Sequence, residues 1–162
     1  AAKGARTLPS TFDCPENLMP HAPLIVGPSD YPKPLDVVGE KISVLAAGAA
    51  TGSYEVFVQS GVVGSGPEPH YHPWDESFFI LHGELEFNVE SVTTRIAAAG
   101  TLVHVPAGCT HWFRWREGGG SMLSITSREA ASRMFADISA ATTDQRPSRE
   151  TMNEICGRYG CT

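Results

Sequence analysis

Residues Gly64–Gly83, GSGPEPHYHPWDESFFILHG, decide how this chain reads. His70 and His72 sit two apart, so on an extended strand both imidazoles project to the same side. Glu76 follows across Pro73-Trp74-Asp75, a segment that fits a turn or bulge and brings a carboxylate back toward the rings. Two neutral imidazoles and one carboxylate on a β scaffold suit a first-row divalent metal. Downstream, Phe78 and Ile80 share the parity of Glu76 and point inward. Phe79 and Leu81 then point outward, where apolar side chains mark a second sheet or a subunit interface.

A second stretch, Gly100–Trp115 (GTLVHVPAGCTHWFRW), supplies a further ligand. A short strand runs to Val105, Pro106-Ala107-Gly108 makes a tight turn, and His111 opens the next strand. The 16 residues from Glu84 to Ala99 suffice for one hairpin. Within them Leu85, Phe87 and Val89 alternate with polar neighbours at the period of a half-buried strand. His111, Phe113 and Trp115 share a face, so Phe78, Ile80, Phe113 and Trp115 are candidates for an apolar, substrate-binding wall near the metal. The same residues equally describe the packed interior of a small barrel.

These two stretches resemble the paired motifs of the cupin superfamily. Gly64, His70, His72, Glu76 and Gly83 match the first motif, G-x(5)-H-x-H-x(3,4)-E-x(6)-G. Gly100, Pro106, Gly108 and His111 match the second, G-x(5)-P-x-G-x(2)-H-x(3)-N, but Trp115 stands where the asparagine is expected. That asparagine is not a ligand, so the metal site survives the departure. The resemblance implies an all-β fold, a double-stranded β-helix or jelly-roll barrel, with a metal at His70, His72, Glu76 and His111. The ion is one divalent transition metal per chain, drawn from Fe, Mn, Ni, Co, Cu or Zn. Small bacterial cupins related to quercetin dioxygenase are the similar subgroup. Their likeness implies a metal-dependent dioxygenase acting on a flavonol-like or other enolisable aromatic molecule, with dioxygen as co-substrate and Glu76 as base. A non-redox lyase or isomerase, with Glu76 or His104 accepting the proton, and a non-catalytic binding cupin are the alternatives.

Around this centre the chain is organised simply. Seven of the twelve prolines fall within residues 1–36, so residues 1–34 read as an extended arm. Short strands LDVV, KISVL and SYEVFVQ follow, and residues 35–138 read as the barrel with its first C-terminal helix. Ser127 is a candidate N-cap for that helix, whose Ala131, Met134, Phe135 and Ile138 fall on one face. Residues 139–162 read as a linker and a second helix, capped at Ser148, with Met152, Ile155, Cys156 and Tyr159 on one face and Gly160 as its stop. Both helices are expected on the barrel's outer face, with a lid over the site as the alternative.

Composition narrows the function classes. A net charge of −6, with no basic cluster, argues against nucleic acid as partner. No apolar run approaches the ~20 residues that span a bilayer. The expected partners are a small-molecule substrate and a second copy of the chain in a homodimer. Four cysteines without metal-type spacing read as free thiols in a reducing cytoplasm, with a small Cys156–Cys161 loop disulfide as the alternative.

Overall fold

The computed structural model describes residues 21–90, 94–127, 130–142 and 146–162, so most of the expected N-terminal arm lies outside the described residues. Seven strands follow one another: β1 (Leu35–Val37), β2 (Glu40–Ala46), β3 (Glu55–Gly61), β4 (Glu76–Val89), β5 (Arg95–Ala98), β6 (Leu102–Val105) and β7 (His111–Thr126). A single helical turn, α1 (Gly48–Thr51), joins β2 to β3, and α2 (Ala131–Ala141) and α3 (Arg149–Arg158) close the chain. All strand pairs are antiparallel, in the order β1-β2-β3-β7-β4-β5, with β6 also on β4.

The sheet turns on its two longest strands. Glycine ordinarily weakens a strand, but β4 continues through Gly83 and β7 through Gly118-Gly119-Gly120. Gly83 pairs with Gly120, and the register shifts on both sides of Gly83. Gly83 has φ +82°, and a Cβ there would collide with the Gly119 carbonyl oxygen. The glycines therefore permit a corner within a continuous ladder. Each long strand contributes its two halves to two facing leaves.

Phe78, Ile80 and Met122 from one leaf meet Leu85, Phe87, Phe113 and Trp115 from the other. The Phe78 and Phe87 rings lie 5.2 Å apart. Each of these large side chains, removed from water, stabilises the barrel by about 1.5–3 kcal/mol. The outward alternates Phe79, Leu81 and Ile125 remain exposed, as their parity requires.

The helices correct two expectations. Ser127 does not cap α2; its hydroxyl accepts from the Asp75 amide at 3.0 Å, and its own amide donates to the Asp75 carbonyl. The Glu55 carboxylate serves the helix start instead, accepting from the Ser132 amide at 2.9 Å and the Gly48 amide at 3.1 Å. Ser148 does cap α3, accepting from the Thr151 amide at 3.1 Å. The apolar faces of the helices do not lie against an outer surface. Met134, Ile138 and Ile155 join Ile42, Phe57 and Trp74 in a second core cluster, and several of their neighbours line a cavity that opens from the barrel interior.

Candidate metal centre

Three segments converge at one end of the barrel. His70 and His111 pair across the sheet through reciprocal backbone hydrogen bonds of 3.1 and 2.9 Å. His72 lies beyond His70 in the bend before β4, and its carbonyl is held by the Gly108 amide of the proline-glycine turn at 2.9 Å. Gly108 has φ +80°, which is why that turn needs glycine. Glu76 is the first residue of β4.

The imidazoles are oriented by their backbone partners. Nδ1 of His70 lies 2.9 Å from the Glu68 carbonyl, Nδ1 of His72 2.8 Å from that of Trp74, and Nδ1 of His111 3.0 Å from that of Cys109. A carbonyl only accepts, so each Nδ1 carries the proton and donates it. This arrangement, in which the outer ring nitrogen is spent on a carbonyl, orients histidines that ligate a metal. One ligand nitrogen from each ring lies within 4.8 Å of the others. His111 Nε2 is buried with no hydrogen-bond partner among the described residues. Trp74 backs the set, stacking on His72 at 4.5 Å between ring centroids. The three imidazoles are therefore a donor set able to hold a metal ion.

Glu76 stands beside them. Its Oε2 lies 2.9 Å from His72 Nε2, a hydrogen bond, and 3.8 Å from His111 Nε2, too far for one. Burial raises the Glu76 pKa, but His111 and His72 outweigh it and hold the carboxyl down at about 2. Burial, reinforced by repulsion from His111, holds His70 down at about 4. His70 is therefore neutral, as a ligand must be, throughout the neutral range.

A cavity of about 820 Å³ leads to this end of the barrel. His70, Glu76 and His111 border it, with Phe78 and Phe113 from the strands and Met134, Phe135, Ile138, Met152 and Cys156 from the helices. Of the four expected wall residues, Phe78 and Phe113 are on this lining, whereas Ile80 and Trp115 are not. Ile80 is sealed within the core. Trp115 turns its indole N–H to Glu40 Oε2 at 3.1 Å, so the residue replacing the motif asparagine anchors a buried carboxylate. His104 is excluded as a proton acceptor at this site, because it lies exposed on β6, hydrogen-bonded to Ser77. Sequence reading missed Glu40 and Gln59, which also border the cavity. Their only signal was inward parity in β2 and β3.

The site is thus a histidine cluster able to hold a metal ion, set in the mouth of a small antiparallel barrel. Residues 57–126 match the family model described as Cupin domain. Together with the barrel, that match supports the resemblance to the cupin superfamily. KdgF from Halomonas sp. superposes with a TM-score of 0.62 at 15% identity, over 69% of this chain and 99% of that one. An RmlC-like cupin from Shewanella frigidimarina NCIMB 400 gives 0.59 at 18% identity, over 71% and 98%. The polyketide cyclase RemF from Streptomyces resistomycificus gives 0.57 at 15%, over 65% and 80%. At these identities the likeness extends to the fold alone. No curated protein matches the chain in sequence. Among the described residues no helix is long and apolar enough to cross a membrane.

Proposed function

We propose that the chain is a metal-dependent cupin enzyme, a dioxygenase of enolisable aromatic small molecules such as flavonols. One observation carries this reading: three imidazoles converge, and two of them, His70 and His111, border a largely apolar cavity of about 820 Å³, large enough for a multi-ring ligand. In this proposal His70, His72, Glu76 and His111 hold one divalent transition metal. When bound, such an ion acidifies a coordinated hydroxyl and provides a place for dioxygen. The chain's own residues do the rest. Phe78 and Phe113, packed edge to face, form one apolar wall for a planar ligand at the barrel end of the cavity, and the helix side chains cover its other face and exclude water. Glu76, ionised throughout the neutral range, receives the hydroxyl proton at Oε2. A carboxylate this weakly basic takes that proton only from an acidified hydroxyl, which limits reaction to ligands bound at the metal.

Oxygen-electrode measurements with metal-reconstituted protein and a panel of flavonols and other enolisable aromatics test the proposal. Oxygen uptake matching substrate loss, and absent in His72→Ala, is the expected result. Substrate loss without oxygen uptake would replace the dioxygenase by a non-redox lyase or isomerase. Ligand binding without turnover under every metal would leave a binding cupin.

The same reading includes a homodimer. Phe79 and Leu81 of β4, Leu102 of β6 and Ile125 of β7 are exposed on adjacent strands of one face. An apolar, uncharged face of this kind suits a second copy of itself across a two-fold axis. Leu81→Asp should convert the dimer to a monomer in sedimentation equilibrium; an unchanged mass for a folded variant would remove this face from consideration.

A further inference from the structure

The C-terminal end of α3 places two thiols together. Cys161 donates its amide to the Cys156 carbonyl at 3.0 Å, and Gly160 donates to the Gly157 carbonyl at 3.2 Å. Gly160 has φ +72°. These are the two hydrogen bonds and the left-handed glycine of a Schellman motif, a helix ending that brings the side chains at its first and last positions into contact. Here both side chains are cysteines. Cys161 is buried, and the motif sets its side chain beside that of Cys156. Both are free thiols, and both border the cavity that leads to the histidine cluster. The next residue, Thr162, exchanges two backbone hydrogen bonds of 3.1 Å with Tyr71, which stands between His70 and His72.

We propose that Cys156 and Cys161 form a reversible dithiol–disulfide site in the cavity wall, oxidised by small disulfides of the glutathione type. The Cys156 thiolate attacks one sulfur of the oxidant, forming a mixed disulfide and expelling one glutathione thiolate. Cys161 loses its proton to that thiolate or to solvent and attacks the Cys156 sulfur, expelling the second glutathione. Two protein thiols are oxidised, and one glutathione disulfide is reduced to two glutathiones. The neighbouring Cys161 thiol lowers the Cys156 pKa and its own is raised, so Cys156 is the attacking thiol and Cys161 the resolving one. The remaining described cysteine, Cys109, packs against the barrel core and does not border the cavity.

The bond would fasten the segment that pairs with Tyr71 onto α3, and so hold that wall of the cavity against the ligand-bearing segment. This consequence rests on the proposed reading of the metal site; formation of the bond does not. The full chain, metal-loaded and metal-free, is incubated with glutathione disulfide, and its thiols are counted and its peptides mapped by mass spectrometry. Two of the four thiols should disappear in both preparations, with Cys156 linked to Cys161 and no glutathione retained. Dithiothreitol should restore them. Cys109→Ser should behave like the parent chain, and Cys156→Ser should prevent the intramolecular bond. A stable glutathione adduct on Cys156, a bond to another cysteine, or four unreacted thiols would overturn the proposal. If the bond forms but metal release to a chelator is no slower, the thiol site stands and its link to the metal cavity falls.

Discussion

The cavity has two unlike walls. The barrel wall carries His70 and His111, with His72 packed beside them, each ring fixed by a backbone carbonyl, and is built from strands tied into a ladder. The helix wall contributes Met134, Phe135, Ile138, Met152 and the paired cysteines, held chiefly by side-chain packing. The difference teaches a division of labour. Metal affinity depends on ring orientation and therefore belongs to the wall with the stiffest backbone. The size and shape of the accepted ligand belong to the packed wall, whose side chains can change without disturbing the donor set.

The largest effect expected is on the barrel wall. His72→Ala removes a donor nitrogen, leaves Glu76 without its 2.9 Å partner and exposes the face of Trp74. Loss of a residue that merely orients a ligand costs about 10–100-fold in metal affinity, so loss of the ligand itself should cost more than about 100-fold. Metal content by mass spectrometry should fall from near one per chain to background, with the circular dichroism spectrum retained. Stoichiometric metal in the variant would exclude His72 as a ligand.

Next comes the corner that makes two leaves from two long strands. Gly83→Ala places a Cβ at φ +82° against the Gly119 carbonyl. Conformational strain and displaced backbone together should cost about 3–4 kcal/mol in denaturant unfolding. The folded fraction should still bind metal, because Gly83 is seven residues from Glu76 along β4 and outside the cavity lining. Loss of metal from folded protein would mean that the two ends of the barrel are not independent.

A substitution in the other wall sharpens the contrast. Ile138 is buried beneath α2, and Ile138→Ala should destabilise the fold by about 2–4 kcal/mol. Metal stoichiometry should not change, whereas affinity for a bulky ligand should. A reduced metal content in folded Ile138→Ala protein would show that the walls share the work of holding the ion.

How much of this was legible in the sequence follows the same division. The histidines could be placed because their spacing is tied to a short extended segment and to a proline-glycine turn, both local constraints, although that segment forms only a single bridge, His70 with His111, and not the strand expected. The hairpin from β4 to β5 was legible for the same reason, with Leu85 and Phe87 alternating inward. The continuity of β4 and β7 was not, because glycine breaks strands in general and bends them here only through the tertiary pairing of Gly83 with Gly120. The helices announced an apolar face by periodicity, but periodicity does not say what that face meets. Ser127 had the residue type of a cap, yet Asp75, distant in sequence, engages it and leaves the helix start to Glu55.

Trp115 gives the smallest effect and the finest test of the barrel wall. Its indole N–H and the Ser65 hydroxyl both donate to Glu40. Burial raises the Glu40 pKa, and these two hydrogen bonds only partly oppose it. A carboxyl whose folded pKa is raised stabilises the fold below its unfolded pKa, and that contribution is lost as pH rises through the folded value. Trp115→Phe removes one donor to the ionised form and raises the folded pKa further. Its pH-dependent cost should therefore be about 1–2 kcal/mol at neutral pH and should shrink as the solution is acidified and Glu40 takes up a proton. Unfolding curves for parent and variant across the acid range measure that convergence. A cost independent of pH would assign Trp115 to packing alone, and the replacement of asparagine at this motif position would have no electrostatic consequence.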